Sequence, residues 1–294
     1  MIQRVIADNS FVPAIMQSLI YDNGASMKNK GIDFARRRID RHLKEAIKKW
    51  GDNFYILTYD FKNFFGSIPH ATCKAILDKF YSDKRISKIL MDIIKSYFPK
   101  TEERGICLGS QISQGLAVVV PNEVDHYAKD KMSFRHYMRY MDDGVAFAKT
   151  KAELKKLLEG MAEICKKLGL EFNSKKTTIT KASRGFVWLK TKYNISKAGK
   201  IIKRMAHKGI VRMRRKLKKF KRKVDHGEMN LKQVYDSVQS WLAYAKGKRC
   251  HKTVKSMLKL FKRLFGFNPT RKVEVKNVLQ NRAERNYHWD CCIG

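Results

Sequence analysis

Three aspartates are the residues of this sequence best suited to chemistry. Asp142 and Asp143 stand side by side, and Asp60 ends an apolar run much earlier in the chain. Adjacent carboxylates repel each other, so a chain with 63 Lys and Arg against 27 Asp and Glu needs a reason to keep two together beside apolar segments. Carboxylate oxygens are the ligands that hard divalent cations prefer. The three acids therefore predict a site for divalent metal.

Shared carboxylates can hold two divalent ions about 3.5–4 Å apart, which stabilises the attacking and leaving oxygens of a phosphoryl transfer. On this interpretation Asp60 and Asp142 bridge both ions and Asp143 assists. The tripeptide Asp142-Asp143-Gly144 taken alone is more typical of an ordinary exposed hairpin turn. The flanking sequence has to decide between these interpretations.

The composition indicates the partner. A formal net charge of +36 predicts a polyanion whose binding weakens steeply with salt. A membrane surface or an anionic glycan would satisfy the charge but would leave the three acids unexplained. Nucleic acid explains both, so the sequence favours metal-dependent nucleotidyl transfer on a nucleic acid. The six cysteines form no C-x-x-C pair, which argues against a structural zinc site built from them.

The elements expected to position the aspartates are a strand and a hairpin. Residues 54–60 are rich in β-forming residues and predict a strand that ends at Asp60. The Asp-Gly step predicts a tight turn at Asp142-Asp143-Gly144, joining strands at 137–141 and 145–148. Both adjacent carboxylates should then lie at the tip of the hairpin.

The remaining pattern predicts an α+β domain followed by a helical one. A long helix should begin at the capping box Thr150-x-x-Glu153 and end at Gly169. Residues 200–223 hold 13 Lys or Arg and no acid, with apolar residues at helical spacing, and predict a basic amphipathic helix. Other predicted helices cover most of 1–48, the segments after Pro69 and from Ser87, 230–246 and 252–265; short strands are predicted at 170–172, 177–180 and 186–189.

Two motifs carry a family resemblance. The segment from Asp60 to Ile68, which reads DFKNFFGSI, and the tetrapeptide Tyr140-Met141-Asp142-Asp143 resemble the catalytic motifs of prokaryotic reverse transcriptases, in the expected order. The resemblance extends over about residues 20–265. It implies the right-hand polymerase fold, with fingers and palm in residues 1–195, a helical thumb in 196–268 and a polar tail in 269–294.

The resemblance also implies roles for residues near the incoming nucleotide. Phe65 would be the aromatic gate against a ribose 2′-hydroxyl, although plain core packing is an alternative. Lys30, with Arg37 or Arg38, would hold the triphosphate, since guanidinium binds phosphate bidentately; a solvated basic helix face is the alternative. Lys176 would donate a proton to leaving pyrophosphate, with Lys175 beside it as a competing assignment.

Further residues are implied to bind metal and nucleic acid. Phe61 would join the three aspartates in the metal site. Phosphate contacts of the thumb position a duplex without reading its bases. The segment 186–189 resembles a primer-grip hairpin in which Trp188 replaces the usual glycine. The residues expected to contact nucleic acid are Tyr140, Met141, Arg212, Arg215, Lys216 and Lys219.

One dipeptide indicates a particular subfamily of reverse transcriptases. Ser113-Gln114 stands where most bacterial reverse transcriptases have Ser-Pro, and in this it resembles the enzymes of diversity-generating retroelements. That subfamily copies a template RNA with errors at adenines and works with a small helical accessory protein. Gln114 would then lie near the templating base or the incoming nucleotide. The alternative is that Gln114 only caps the helix that follows.

The resemblance implies the cofactor and partners as well. Two Mg²⁺ ions, which Mn²⁺ can replace, would be the cofactor. The substrates would be dNTPs, and the partners would be a template RNA, a primer and nascent cDNA, with no membrane. The protein would be cytoplasmic and encoded by a bacterium or a phage. The family usually carries a further finger segment before the position of residue 1. Three alternatives stay open: a retron, intron-like or phage-defence reverse transcriptase, a non-catalytic RNA-binding protein, and a template-independent transferase.

Overall fold

The computed structural model describes residues 2–97, 103–196 and 198–271, which fall into two compact units. The first comprises the chain up to Leu189 together with Asn194–Ile201, and the second comprises Lys190–Tyr193 and the chain from Ile202 onward. Most of the predicted polar tail, from residue 272, lies outside the described residues.

A four-stranded antiparallel sheet organises the first unit. Its strand order is β2-β3-β1-β4, so the strand that comes first in the chain lies inside the sheet between two later ones. β1 is buried along most of its length, as its apolar run predicted. The four strands are β1 (Tyr55–Asp60), β2 (Tyr137–Tyr140), β3 (Asp143–Ala148) and β4 (Thr178–Lys181).

Helices pack on this sheet and share one apolar core with it. The predicted ends of the clearest helix are confirmed: the Thr150 hydroxyl accepts from the Glu153 amide, and Gly169 ends the helix at φ 70°. The helices are α1 (Ile2–Ile6), α2 (Val12–Met16), α3 (Ile32–Trp50), α4 (Phe64–Ser67), α5 (His70–Phe80), α6 (Lys84–Lys95), α7 (Gln111–Val119), α8 (Asn122–His126) and α9 (Lys151–Leu168), with π-helical turns at Ala7–Phe11 and Tyr127–Lys131 and a 3₁₀ turn at Ala182–Arg184.

Two sequence predictions about these elements are wrong. Residues 170–172 form no strand; Phe172 makes only an isolated bridge to Phe61. The basic segment 200–223 is not one helix, because Ile201–Met205 form a strand and the helix begins only at His207. Ile201 and Met205 lie on the same face of this strand, and the helical period of the apolar residues starts only after it.

The second unit is built mainly from three helices, which the sequence predicted. Helices α10 (His207–Asp225), α11 (Leu231–Ala245) and α12 (His251–Phe265) enclose an apolar core that includes Leu217 and Phe261. Trp241 packs against this core, as expected. Strands β5 (Phe186–Trp188), β6 (Thr191–Ile195) and β7 (Ile201–Met205) form a three-stranded sheet in chain order. β5 belongs to the first unit, and β6 and β7 each have residues in both units. None of the described helices could cross a lipid bilayer.

Candidate active site

The three predicted aspartates come together at one end of the four-stranded sheet. Asp60, the last residue of β1, is the direct register partner of Asp143, the first residue of β3. Asp142 precedes Asp143 in the turn between β2 and β3. We call these three residues the aspartate cluster.

The electrostatics of the aspartate cluster are those of crowded, partly buried acids. Burial and the neighbouring charges of Asp142 and Asp60 raise the pKa of Asp143 to about 7. Burial, opposed by a backbone hydrogen bond and reinforced by the charge of Asp60, raises the pKa of Asp142. Both shifts follow first from burial of the carboxyl groups and then from the repulsion between closely spaced carboxylates. A divalent cation at this place would relieve that repulsion.

Lys176 supplies part of the missing positive charge. Its ammonium donates to both carboxylate oxygens of Asp60, at 2.8 and 2.9 Å. This hydrogen bond raises the pKa of Lys176, so the side chain is fully protonated at neutral pH. The Lys175 backbone amide instead donates to the Asn173 side chain, and Lys175 is exposed. The geometry therefore favours Lys176 over Lys175, which the sequence left undecided.

The predicted turn of the hairpin is misplaced: the observed turn begins one residue earlier and ends two residues earlier. Tyr140 and Asp143 are paired, so the turn consists of Met141 and Asp142, and Asp143 already belongs to β3. Met141 takes the positive φ of 56° that an Asp-Gly turn would have given to glycine. A long side chain in this region is strained by about 1–2 kcal/mol.

Gly144 serves close packing instead. A Cβ at this position would lie 2.0 Å from Cζ of Tyr59, so any side chain would collide with that ring. Tyr59 is fully buried beneath the hairpin, and its hydroxyl lies 2.6 Å from that of Tyr137. The glycine after the aspartates therefore lets β3 approach the aromatic layer below the aspartate cluster.

A buried arginine supports the strained turn, and the sequence analysis missed it. Arg139 has no exposed surface and forms a bidentate ion pair with the equally buried Asp125, with contacts from 2.6 to 3.0 Å. The same guanidinium donates to the carbonyls of Met141 (2.8 Å) and Val118 (2.7 Å). Arg139 thus joins the turn that contains Asp142 to helix α7. An arginine inside an apolar strand was the available signal, since a buried charge requires partners.

The cationic residues expected near the triphosphate divide into two kinds. Arg38 is paired with the buried carboxylate of Asp22 at 2.6 Å, so it has a structural partner. Lys30 donates to the carbonyl of Tyr21 and lies 5.0 Å from the centre of that exposed ring. Arg37 is exposed on α3. Of the two arginines the sequence could not separate, Arg37 is the more available to an incoming ligand.

The other predicted site residues of the first unit differ in how deeply their side chains are buried. Phe61 is buried and stacks on Phe172, whereas Phe65 is half-buried at the start of α4 and packs edge-on against Phe64. Tyr140 and Met141 are half-buried beside the aspartate cluster.

Gln114 is exposed in the first turn of α7. The alternative that Gln114 caps this helix is wrong, because the side chain of Ser110 is the N-cap and accepts from the Ser113 amide.

The predicted nucleic-acid residues of the second unit share one exposed helix surface. They recur at steps of three and four along α10, opposite the buried Met213 and Leu217. Lys216 also donates to the Ser237 hydroxyl at 2.9 Å. The four exposed residues are Arg212, Arg215, Lys216 and Lys219.

Comparison with solved structures identifies the class of fold. The chain is similar to apo telomerase from Candida tropicalis, with a TM-score of 0.52, 12% identity and coverage of 90% of this chain and 52% of that one. It is also similar to telomerase from Candida tropicalis in complex with a TWJ fragment of telomeric RNA, with a TM-score of 0.52, 13% identity and coverage of 89% and 51%. The chain thus spans about half the length of these telomerases. It has the right-hand polymerase fold.

Residues 2–246 match the family described as reverse transcriptase (RNA-dependent DNA polymerase), and the chain belongs to that family. No curated protein matches the sequence. Reverse transcriptases depend on divalent metal, and the aspartate cluster fits this requirement: its donors are all oxygen, and burial together with neighbouring carboxylates raises the pKa values of Asp142 and Asp143.

Proposed function

We propose that this protein is an RNA-directed DNA polymerase that adds dNTPs to a primer 3′-hydroxyl. The observation that carries the proposal is the pairing of Asp60 with Asp143 across adjacent strands, with Asp142 in the turn beside them. A protein that only bound RNA would gain nothing from three crowded carboxylates facing a phosphate backbone. The same repulsion is an advantage where cations must be held.

Asp60, Asp142 and Asp143 would hold two Mg²⁺ ions, with the backbone carbonyl of Phe61 as a further oxygen ligand, and Mn²⁺ could replace Mg²⁺. When bound, these ions would stabilise negative charge on the attacking and leaving oxygens. The protein's own contribution is preorganisation, because the ion pair of Arg139 with Asp125 keeps the turn in one conformation.

Lys176 is proposed as the general acid. Its protonated ammonium already lies within hydrogen-bonding distance of the aspartate cluster, and it is exposed enough to reach a leaving pyrophosphate. A proton passed from its Nζ would neutralise the charge that develops on the leaving oxygen. Its release from Asp60 would at the same time free both oxygens of that carboxylate.

The remaining substrate contacts are assigned according to which side chains already have a structural partner and which are available to a ligand. Arg37 and Lys30 are proposed to bind the triphosphate, whereas Arg38 holds Asp22 and thereby positions the segment around them. Phe65 is proposed to exclude a ribose 2′-hydroxyl; its half-buried ring suits a rigid steric gate. A smaller residue at position 65 should then admit ribonucleotides.

We assign fingers and palm to residues 1–195 and the thumb to 196–268. On this assignment Arg212, Arg215, Lys216 and Lys219 bind duplex phosphates, with Tyr140 and Met141 near the primer end. Contacts of this kind make the logarithm of the binding constant fall linearly with the logarithm of salt concentration. Replacing Arg215 with alanine should weaken binding of all sequences alike and reduce the salt slope by about one.

Among reverse transcriptases, the diversity-generating retroelement type is proposed on the basis of Ser113-Gln114. Gln114 is exposed in the first turn of α7, so its side-chain amide can contact a base. Template RNA, primer, nascent cDNA and a small helical accessory protein are the partners this type implies. A bacterial or phage gene and a cytoplasmic location go with it.

Primer extension tests the proposed activity. The wild type should extend an oligo(dT) primer on poly(rA) with Mg²⁺, Asp142→Ala should not, and the exposed-site control Asp52→Ala should match the wild type. Equal extension by Asp142→Ala would remove the basis for the site. Sequencing products from mixed RNA templates then tests the subfamily, since errors should concentrate at template adenines. Uniform fidelity would contradict the diversity-generating assignment while leaving the polymerase intact.

A further inference from the structure

A second group of metal-binding side chains lies in the first unit, between α3 and the start of β2. His42 and Glu45 are three positions apart on α3, which places them on one face of that helix. His136 directly precedes β2, and its carbonyl accepts from the Phe147 amide of β3 at 2.9 Å. One ligand atom from each of the three residues lies within 4.8 Å of the other two. We call this group the His–Glu–His cluster.

The distances within the cluster suit a tetrahedral transition metal. Nδ1 of His42 lies 3.4 Å from Nδ1 of His136, and Nδ1 of His136 lies 3.9 Å from Oε2 of Glu45. Zinc bonds of about 2.0–2.1 Å in tetrahedral geometry separate neighbouring ligand atoms by about 3.4 Å. The two imidazole nitrogens therefore already have this spacing, and only the more exposed carboxylate has to move closer.

The surroundings orient both rings. Nε2 of His42 lies 3.4 Å from the buried carboxylate of Asp22, and such a partner on the other ring nitrogen is the usual support of a metal-bound histidine. The ring of His136 packs edge-on against Trp50 (5.5 Å) and against His42 (5.6 Å). Both histidines are buried, so their rotamers are fixed before any ion binds.

The carboxylate of the cluster already has a cationic partner, and that partner is exposed to solvent. Glu45 is held by Arg135 at 3.2 Å, but that arginine side chain is 78% exposed. An exposed ion pair contributes only about 0–1 kcal/mol, so a metal ion can displace it.

We propose that His42, Glu45 and His136 bind one Zn²⁺ ion that fastens helix α3 to strand β2. Two imidazoles and one carboxylate suit this ion, with water in the fourth position. Glu45 and His136 line an open cleft of about 830 Å³, which gives the ion a route from solvent. Because β2 leads directly into the turn that contains Asp142, the ion would stabilise the strand that positions the aspartate cluster. It would take no part in the chemistry of that cluster. The site shares no residue with that cluster and stands whether or not the polymerase assignment holds.

Zinc binding by the untagged, full-length protein tests this site. Millimolar Mg²⁺ occupies the aspartate cluster while zinc stoichiometry is measured by elemental analysis and affinity by competition with a chromophoric chelator. Glu45→Gln and His136→Gln are compared with Glu153→Gln, whose side chain lines the same cleft outside the His–Glu–His cluster. The visible spectrum of the Co²⁺ form reports the coordination geometry. Asp142→Ala separates this site from the aspartate cluster.

The wild type, Glu153→Gln and Asp142→Ala should each bind one zinc ion per chain and show tetrahedral Co²⁺ absorption. Glu45→Gln and His136→Gln should bind at least about tenfold more weakly, since even supporting residues of such sites change affinity by that much. Zinc should also raise the melting temperature of the wild type but not of Glu45→Gln. Unchanged zinc affinity in Glu45→Gln would overturn the proposal, as would a wild type that binds no zinc. Glu45 is half-exposed, so this test holds even if His136→Gln fails to fold.

Discussion

Replacing Asp143 with asparagine should abolish polymerase activity and yet stabilise the metal-free fold. In the folded protein the pKa of Asp143 is raised from its ordinary value of 3.8 to about 7. One pKa unit corresponds to 1.36 kcal/mol, so the ionised carboxylate costs the folded state about 4 kcal/mol at most. Asp143 is partly exposed, and solvent screening reduces this to about 2 kcal/mol.

The sign of the pH dependence follows from the direction of the shift. The folded state binds the Asp143 proton more tightly than the unfolded state, so its protonation stabilises the fold at low pH. That contribution is complete below about pH 4, is lost as the pH rises towards 7, and is absent above that. The asparagine variant lacks this loss, so its advantage over the wild type should grow between pH 4 and pH 7.

Thermal unfolding in EDTA at a series of pH values measures the effect. At pH 8 the variant should melt about 4–8 °C above the wild type, since 1 kcal/mol corresponds to about 2–4 °C for a domain of this size. The gap should close near pH 4, and Mg²⁺ should narrow it at pH 8 by stabilising only the wild type. Asp52→Asn, at an exposed position, should behave like the wild type throughout. A variant no more stable than the wild type at pH 8, or a gap independent of pH, would refute the reasoning.

Three further changes test the supports of the aspartate cluster. Lys176→Met should lower kcat about 100-fold or more, whereas Lys175→Met should leave it near the wild-type value in the same single-nucleotide assay; equal effects would contradict the assignment. Arg139→Gln leaves the buried carboxylate of Asp125 unpaired and should lower the free energy of unfolding in urea by about 3–5 kcal/mol. A decrease below about 1 kcal/mol would contradict a stabilising role of the buried pair. Gly144→Ala should cost about 2 kcal/mol or more through its collision with Tyr59, and the double variant with Tyr59→Ala should recover part of the Gly144→Ala loss if that collision is the cause.

The sequence predicted those parts of the fold that local patterns encode. Thr150 and Gly169 bound a helix because capping is a local hydrogen-bonding requirement. The apolar run that ends at Asp60 predicted a buried strand, because its β-forming apolar residues are contiguous in the sequence. The pairing of Asp60 with Asp143 could be expected from the family resemblance, but periodicity alone says nothing about which distant strands meet.

The errors arose where tertiary contacts overrode local preference. Gly144 suggested a turn, but its real constraint is the Tyr59 ring, which comes from another strand. Met141 accepts an unfavourable φ because Arg139 holds its carbonyl, a contact that no local pattern reveals. The His–Glu–His cluster was likewise invisible, since His136 lies far along the chain from the helix that carries its two partners.

The strand order of the sheet means that β1 is synthesised long before the strands that pair with it. β1 lies between β3 and β4, both of which follow it by more than eighty residues, so no neighbour is available when β1 leaves the ribosome. At about 5–20 residues per second, both of its hydrogen-bonding edges wait on the order of ten seconds for a partner. During that interval an apolar strand with two open edges is exposed to aggregation. The strand order therefore predicts that β1 is shielded during synthesis, by a chaperone or by helices that pack on it early.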